Sequence, residues 1–246
     1  MFKPETYQLK LLSSVDKQIG AYAKDKNAER LHQIRVLIKK IKAVDSLRSF
    51  ASKKKQGGVK LKPLYKSAGK IREIQILLKL VQALPGFPKK IKEQLKINLK
   101  AEQKYFLEKL PKFSKQIKKV HNELSVNGTR LGLKIIKKYF TLETQKAQLA
   151  FKLKQREAMH AFRKELKNSL YVYDALPKKT QKLIPLKTNE IVNLQEKLGD
   201  WHDAYSAIFY LSKLKPQVNI QGHLLKLKRQ EKAQFISLQK MQMPKL

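Results

Sequence analysis

The 246-residue sequence predicts an all-α fold arranged as two related helical halves. Three observations predict it. Apolar residues recur at three- and four-residue steps, and strict alternation is rare. Glycine and proline, nine of each, are confined to a few places that punctuate the chain. Two motifs also occur twice, in the same order and at nearly the same spacing, as in a tandem duplication.

The elements follow in order. PETYQLKLLSSVDKQIGAYAK opens with Pro4, whose fixed φ and missing N–H suit the first turn of a helix. Asn27 is a candidate N-cap for a second helix reaching about Ser52. KKKQGGVK, with Gly57 and Gly58 at its tip, is a loop. A third helix runs from Lys60 to about Ala83, and LPGFPKK breaks it. A fourth spans Pro88 to about Leu124, bent or interrupted at Pro111. ELSVNGTR separates the halves, about 1–124 and about 129–246, within a single domain over 1–246. In the second half, Thr129 to Tyr139 reads as helix and Leu142 to Leu176 as one long helix. Pro177 to Pro185 is a short connection with room for one helical turn. Thr188 to about Leu214 is helical, KPQVNIQG is a loop, and the last helix runs from Gln221 to Met241.

Charge is the unusual quantity. There are 55 Lys plus Arg against 19 Asp plus Glu, a formal +36, while 42% hydrophobic residues suffice for a core. So much charge of one sign costs stability by self-repulsion, and a polyanion relieves it. Candidate partners are nucleic acid, inorganic polyphosphate, an acidic membrane surface or an acidic protein. Most of the cations are lysines, hydrated point charges less suited than arginine to reading base edges.

The first repeated motif is His-x-x-Arg-x-x-x-Lys. It occurs in LHQIRVLIKKIK, Leu31 to Lys42, and 128 residues later in MHAFRKELKN, Met159 to Asn168. At about 100° per residue, His32, Arg35, Lys39 and Lys42 fall within an arc of about 80°. Ile34, Ile38 and Ile41 take the opposite side. In the second copy His160, Arg163 and Lys167 form the stripe, with Phe162, Leu166 and Tyr173 on the oily face. Ser46 and Tyr171 extend the polar edges. An ordinary solvated face mixes signs to gain i,i+4 pairs, but Arg30 to Lys42 contains no acid. The second motif, Gly-x-x-(Arg/His)-(Glu/Asp), occurs as GKIREI from Gly69 and GDWHDA from Gly199, 37 and 39 residues after His32 and His160.

Together LHQIRVLIKKIKAVDSLRSF, MHAFRKELKNSLYVYDAL, LKPLYKSAGKIREIQILL and NLQEKLGDWHDAYSAIFYL resemble the signature helices of the CHAD family, the conserved-histidine alpha-helical domain. The resemblance covers essentially the whole chain. It implies two four-helix bundles related by a pseudo-two-fold axis, a basic channel between them, and binding of inorganic polyphosphate without hydrolysis. The family's basic positions then fall on His32, Arg35, Lys39, Lys40 and Lys42, and on His160, Arg163, Lys164 and Lys167. The chain departs from the pattern at Glu73, where Asp is usual, at His202, where Asn is common, and at Asn168, where a base is expected. Stripe two is therefore shorter. Arg72 and His202 either touch the ligand or orient neighbours through Glu73 and Asp203, and the residues alone leave both open. A row of Arg130, Lys134 and Lys138, and another of Lys92, Lys96, Lys100 and Lys104, extend the candidate track or are solvated exterior.

Polyphosphate suits such stripes because affinity accumulates over many modest contacts, each releasing counterions. The main rival is a non-specific nucleic-acid binder, which the charge alone would also suggest; a third reading is an adaptor for acidic surfaces. No enzyme is expected. The five histidines are not spaced as metal ligands, no glycine-rich phosphate loop occurs, and neither metal nor cofactor is called for. His121 and His223 read as surface or cap residues, and Trp201, Tyr65, Phe140 and Tyr205 as core. With no cysteine, disulfides and thiolate chemistry are excluded. MFKPETYQLKLLSS lacks the apolar run of a signal peptide, and no stretch approaches the ~20 apolar residues of a membrane span. Membrane insertion is therefore not expected. The expected compartment is the cytoplasm, with polyphosphate granules as the association the implied ligand suggests. Nothing in the residues sets an oligomeric state.

Overall fold

A computed structural model describes residues 1–52, 60–126, 128–213 and 220–243. Among the described residues ten helices form the fold: α1 (Pro4–Asp25), α2 (Ala28–Ser52), α3 (Lys62–Gln82), α4 (Lys89–Glu108), α5 (Leu110–Val126), α6 (Leu133–Lys152), α7 (Arg156–Ala175), α8 (Lys178–Gln181), α9 (Thr188–Ser212) and α10 (Gln221–Lys240). Extended pairing among the described residues is limited to one antiparallel bridge between Phe2 and Leu131. The loop expected around Gly57 and Gly58 and most of the one in KPQVNIQG lie outside the described residues.

The chain divides into two compact units. The first comprises Met1–Gln75, Asn98–Leu142 and Asn168–Ile184; the second comprises Ile76–Ile97, Glu143–Lys167 and Pro185–Leu246. Each unit thus draws on both halves of the sequence. The first is built on seams of 3-4-3 spacing. Leu12, Val15, Ile19 and Tyr22 of α1, Leu31, Ile34, Ile38 and Ile41 of α2, and Leu64, Ala68 and Ile71 of α3 share one buried cluster. Each fully buried Leu or Ile contributes about 1.5–3 kcal/mol, which commits α2 to a single face. Polar ties add register: the Gln8 side-chain amide donates to the Ile41 carbonyl at 3.1 Å. Arg48 sits 2.9 Å from Asp45 and 3.7 Å from Glu5 in the same buried region.

In the second unit, Trp201 of α9 is fully buried and packs on Phe235 of α10, with ring centroids 5.5 Å apart. Its indole N–H donates to Glu231 at 2.7 Å, and Arg156 donates to both oxygens of that carboxylate at 2.9 and 3.0 Å. Burial alone would raise the Glu231 pKa, but these donors hold it below the usual carboxylate range.

Helix ends follow local chemistry. Asn27 caps α2, its side-chain oxygen accepting the Glu29 N–H at 2.8 Å. The expected helix from Pro88 to Leu124 is two helices. Pro111 has no N–H to offer the Leu107 carbonyl, so the chain breaks at Lys109, and Pro111 falls in the first turn of α5 where none is needed. The second half differs more. Its first helix starts at Leu133 rather than Thr129, because Leu131 pairs with Phe2, N to O at 2.9 and 3.0 Å. That helix then runs past the break expected near Thr141, because Ile136, Phe140, Glu143, Ala147 and Phe151 continue one buried row. The long helix expected from Leu142 is instead interrupted between Lys152 and Arg156. There Lys154 adopts φ 51°, and its ammonium donates to the Gln239 carbonyl at 2.7 Å.

Candidate phosphate-binding site

α2 presents the two faces its spacing predicts. Ile34, Ile38 and Ile41 are fully buried, while His32, Arg35 and Lys39 are half-buried and Lys42 is exposed. Arg35 is held through both terminal nitrogens of its guanidinium. It donates Nη1–H to the backbone carbonyl of Tyr65 at 2.9 Å and Nη2–H to the Tyr65 hydroxyl at 3.3 Å. Its guanidinium carbon lies 4.3 Å from the Tyr65 ring centroid. It also approaches Gly69 with Nη1 nearest: a Cβ there would come within 2.2 Å of that nitrogen. This contact ties the two repeated motifs together, since the glycine of the second makes room for the arginine of the first.

Lys42 Nζ lies 4.8 Å from the same Tyr65 centroid. Its ammonium pKa is lowered, first by partial desolvation near the helix surface and then by repulsion from Lys62 and Arg35. Lys40 points elsewhere. It is 3.6 Å from the Asp174 carboxylate and 5.8 Å from the Tyr171 ring centroid, so it does not join this group. Ser46 hydrogen-bonds the Tyr139 hydroxyl at 2.7 Å.

The second stripe rests on α7 and α9. Phe162 and Leu166 are fully buried, His160 and Lys164 are exposed, and Arg163 and Lys167 are half-buried. The His160 and His202 rings stack with centroids 4.6 Å apart and 23° between their planes. His202 Nδ1 is 3.9 Å from Asp203, so the motif's acid stands beside its histidine. Gly199 again faces the arginine, but a Cβ would meet Arg163 Nη2 at an ordinary 3.5 Å. Gln195, four residues before Gly199, donates to the Arg163 backbone carbonyl at 3.0 Å. Lys167 has its pKa lowered to about 8, by burial first and by Arg163 second, with Asp203 partly restoring it. Glu165, the one acid within the second His-Arg-Lys span, hydrogen-bonds Glu143, and burial with that contact raises its pKa.

Other expected residues stand apart. Arg72 is half-buried, and its Nε has no hydrogen-bond partner among the described residues. Arg130 lies before α6, so it does not continue the helical row of Lys134 and Lys138; all three are exposed. Lys96, Lys100 and Lys104 are exposed on α4, and Lys92 is half-buried. Trp201 and Phe140 are core, as expected, but Tyr65 is half-buried beneath two cations and Tyr205 is exposed. His223 packs on Phe87, ring centroids 5.3 Å apart. Sequence reasoning missed Tyr65, Lys62 and Gln195 as parts of the site. Spacing held the signal: Tyr65 and Gln195 each precede a motif glycine by four residues, and Lys62 precedes Gly69 by seven, the steps that share a helix face.

The CHAD domain family model matches residues 7–211. The chain belongs to the CHAD domain family. The crystal structure of the CHAD domain from the plant Ricinus communis superposes with a TM-score of 0.70 at 14% identity, over 100% of this chain and 94% of that one. At that identity the likeness speaks to the all-helical fold. No curated protein matches the chain. The CHAD family is associated in general with polyphosphate binding. No described helix of this CHAD domain is long and apolar enough to cross a membrane.

Proposed function

We propose that this CHAD domain binds inorganic polyphosphate, without cleaving it, through the His/Arg/Lys faces of α2 and α7. The observation that carries the reading is the group around Tyr65. Arg35 is anchored there to neutral partners, and the Lys42 pKa is lowered first by burial and further by repulsion from Lys62 and Arg35. A cluster of like charges is costly alone and becomes favourable when an anion neutralises it. Arg35 keeps further N–H donors for phosphate oxygens, and such charge-assisted bonds are the strong ones. A linear phosphate chain gains from several such cations at once.

The rival is non-specific nucleic-acid binding. Single-strand binders present open aromatic faces on which bases stack. Here the aromatic ring at the stripe already carries a guanidinium and an ammonium. Competition at one fixed salt concentration tests the choice. Long-chain polyphosphate should displace labelled DNA and RNA at far lower phosphate concentration than either displaces polyphosphate. Equal displacement would favour the rival. Long chains should also bind much tighter than orthophosphate or ATP, because contacts add along the chain. Bound polyphosphate should remain intact with or without Mg²⁺; release of orthophosphate that a single substitution abolishes would refute the non-catalytic part. In the cell, the reading expects cytoplasmic protein that co-localises with polyphosphate granules.

A further inference from the structure

Two cations in the first unit share one aromatic ring. The Tyr65 centroid lies 4.3 Å from the Arg35 guanidinium carbon and 4.8 Å from Lys42 Nζ. The same residue accepts two hydrogen bonds from Arg35, one at its carbonyl and one at its hydroxyl. Gly69, one helical turn further along α3, leaves the space the guanidinium fills. We propose that Tyr65 is a positioning residue, which holds Arg35 and Lys42 as a preformed pair of phosphate ligands without contacting phosphate itself. The inference rests on the polyphosphate reading above.

The physical case has three parts. Arginine and lysine lose rotamer freedom when a ligand immobilises them, and side chains already held lose less. Arg35 and Lys42 repel each other, and the negative face of an aromatic ring attracts both. The hydrogen bonds also fix the guanidinium plane, so its remaining donors keep one orientation. The corresponding residue of the second repeat, Gln195, donates to the backbone of Arg163 rather than accepting from its guanidinium. The second repeat therefore has no aromatic ring at this position.

The test uses the full chain and calorimetric titration with sodium polyphosphate of defined length. Tyr65→Leu should weaken binding about 5- to 10-fold, the loss of two cation–π contacts. Tyr65→Phe keeps the ring and the backbone carbonyl and should lose less than about twofold. In an Arg35→Ala, Lys42→Ala background, Tyr65→Leu should cost nothing further, because its effect passes through those two residues. A general structural role would instead lower binding equally in both backgrounds. Ligand-free NMR reads the arrangement separately: the Arg35 side-chain protons should show an upfield ring-current shift that Tyr65→Phe retains and Tyr65→Leu removes. An unshifted Arg35 overturns the positioning role. So does Tyr65→Leu binding within twofold of wild type, or its full loss in the Arg35→Ala, Lys42→Ala background. If Arg35 is shifted but the wild-type chain does not bind polyphosphate, the functional reading falls, and the phosphate role of Tyr65 falls with it.

Discussion

In the α2–α3 stripe the arginine is clasped by an aromatic ring and a glycine. In the α7–α9 stripe the arginine faces a glycine at ordinary contact distance and accepts from Gln195 at its backbone carbonyl, the histidines stack on each other, and burial lowers the pKa of the half-buried lysine. The two carry the same motif order, His-x-x-Arg-x-x-x-Lys followed by Gly-x-x-(Arg/His)-(Glu/Asp). The difference lies in residues the motifs do not include. Tyr65 stands where the second copy has Gln195, and Lys42 stands where it has Leu170. A motif sets which side chains share a face; its neighbours set how firmly each cation is held and how costly its charge is. On this view the first stripe is the stronger anion ligand, and the second is the more sensitive to pH.

The largest expected effect comes from removing the stronger stripe. Arg35→Ala with Lys39→Ala should weaken polyphosphate binding far more than Lys118→Ala with Lys119→Ala, two exposed lysines of α5. A partly desolvated charge-assisted contact is worth about 1.5–3 kcal/mol, whereas an exposed lysine acts through a screened field. The plot of log affinity against log salt should flatten by about 1.5 for two lost contacts, using the single-strand slope per charge. Arg163→Ala with Lys167→Ala should fall between the two pairs. Folding should survive, because Ile34, Ile38 and Ile41 are untouched. Equal losses in the α2 and α5 pairs, at matched helicity, would mean that bulk charge does the binding and that the comparison has no content.

A smaller effect should separate the two glycines. At Gly69 an added Cβ would fall 2.2 Å from Arg35 Nη1, so the guanidinium must leave Tyr65; at Gly199 it would meet Arg163 Nη2 at 3.5 Å, an ordinary contact. Both substitutions replace a helix-interior glycine, which by itself stabilises by about 0.5–1 kcal/mol. Gly199→Ala should therefore raise Tm slightly and leave affinity unchanged. Gly69→Ala should hold Tm near wild type while lowering affinity about tenfold, the order of one displaced charge-assisted contact. The same affinity for both variants would show that the Arg35–Gly69 contact has no part in binding.

These glycines also mark what the sequence revealed and what it did not. Helix content and the oily faces of α2 and α7 were legible, because apolar spacing reports burial directly. Asn27 and Pro111 were legible through their own backbone chemistry. The break at Lys154 was not. It lies in a run without glycine or proline, and its ties to Gln239 join residues 85 positions apart. The Phe2–Leu131 pairing that delays α6 is equally remote in sequence. In the site, His32, Arg35 and Lys39 could be placed on one face from spacing alone, but the contact of Arg35 with Tyr65 and Gly69 needs α3 packed beside α2. Lys40 shows the converse. It is next to Lys39 in sequence but turned toward Asp174, because one residue on a helix is a rotation of about 100°.

The smallest effect concerns the second stripe and pH. Lys167 titrates near 8 in the folded chain, because burial and then Arg163 disfavour its charge while Asp203 supports it. A phosphate group placed beside it would raise that pKa toward the ordinary lysine value of about 10.4. Binding near pH 8 to 9 should therefore take up protons, visible as a heat that changes between buffers of different ionisation enthalpy. Affinity should fall as pH rises from 7 to 9. One proton fully restored sets a ceiling of about tenfold, and a single partly compensated contact should give about threefold. Lys167→Arg, which stays charged, should flatten this step; Lys39→Arg in the first stripe should leave it in place. The ligand-free protein provides the opposite sign. The folded pKa lies below the unfolded one, so between about pH 8 and pH 10 the unfolded chain binds the extra proton and stability should rise with pH. Lys167→Met should reduce that rise, leaving the part contributed by Lys42 and Lys154, whose pKa values burial also lowers. A wild-type stability curve that is flat or falling between pH 8 and 10, with the same shape in Lys167→Met, would remove Lys167 as the pH-sensitive member and with it the second half of the comparison.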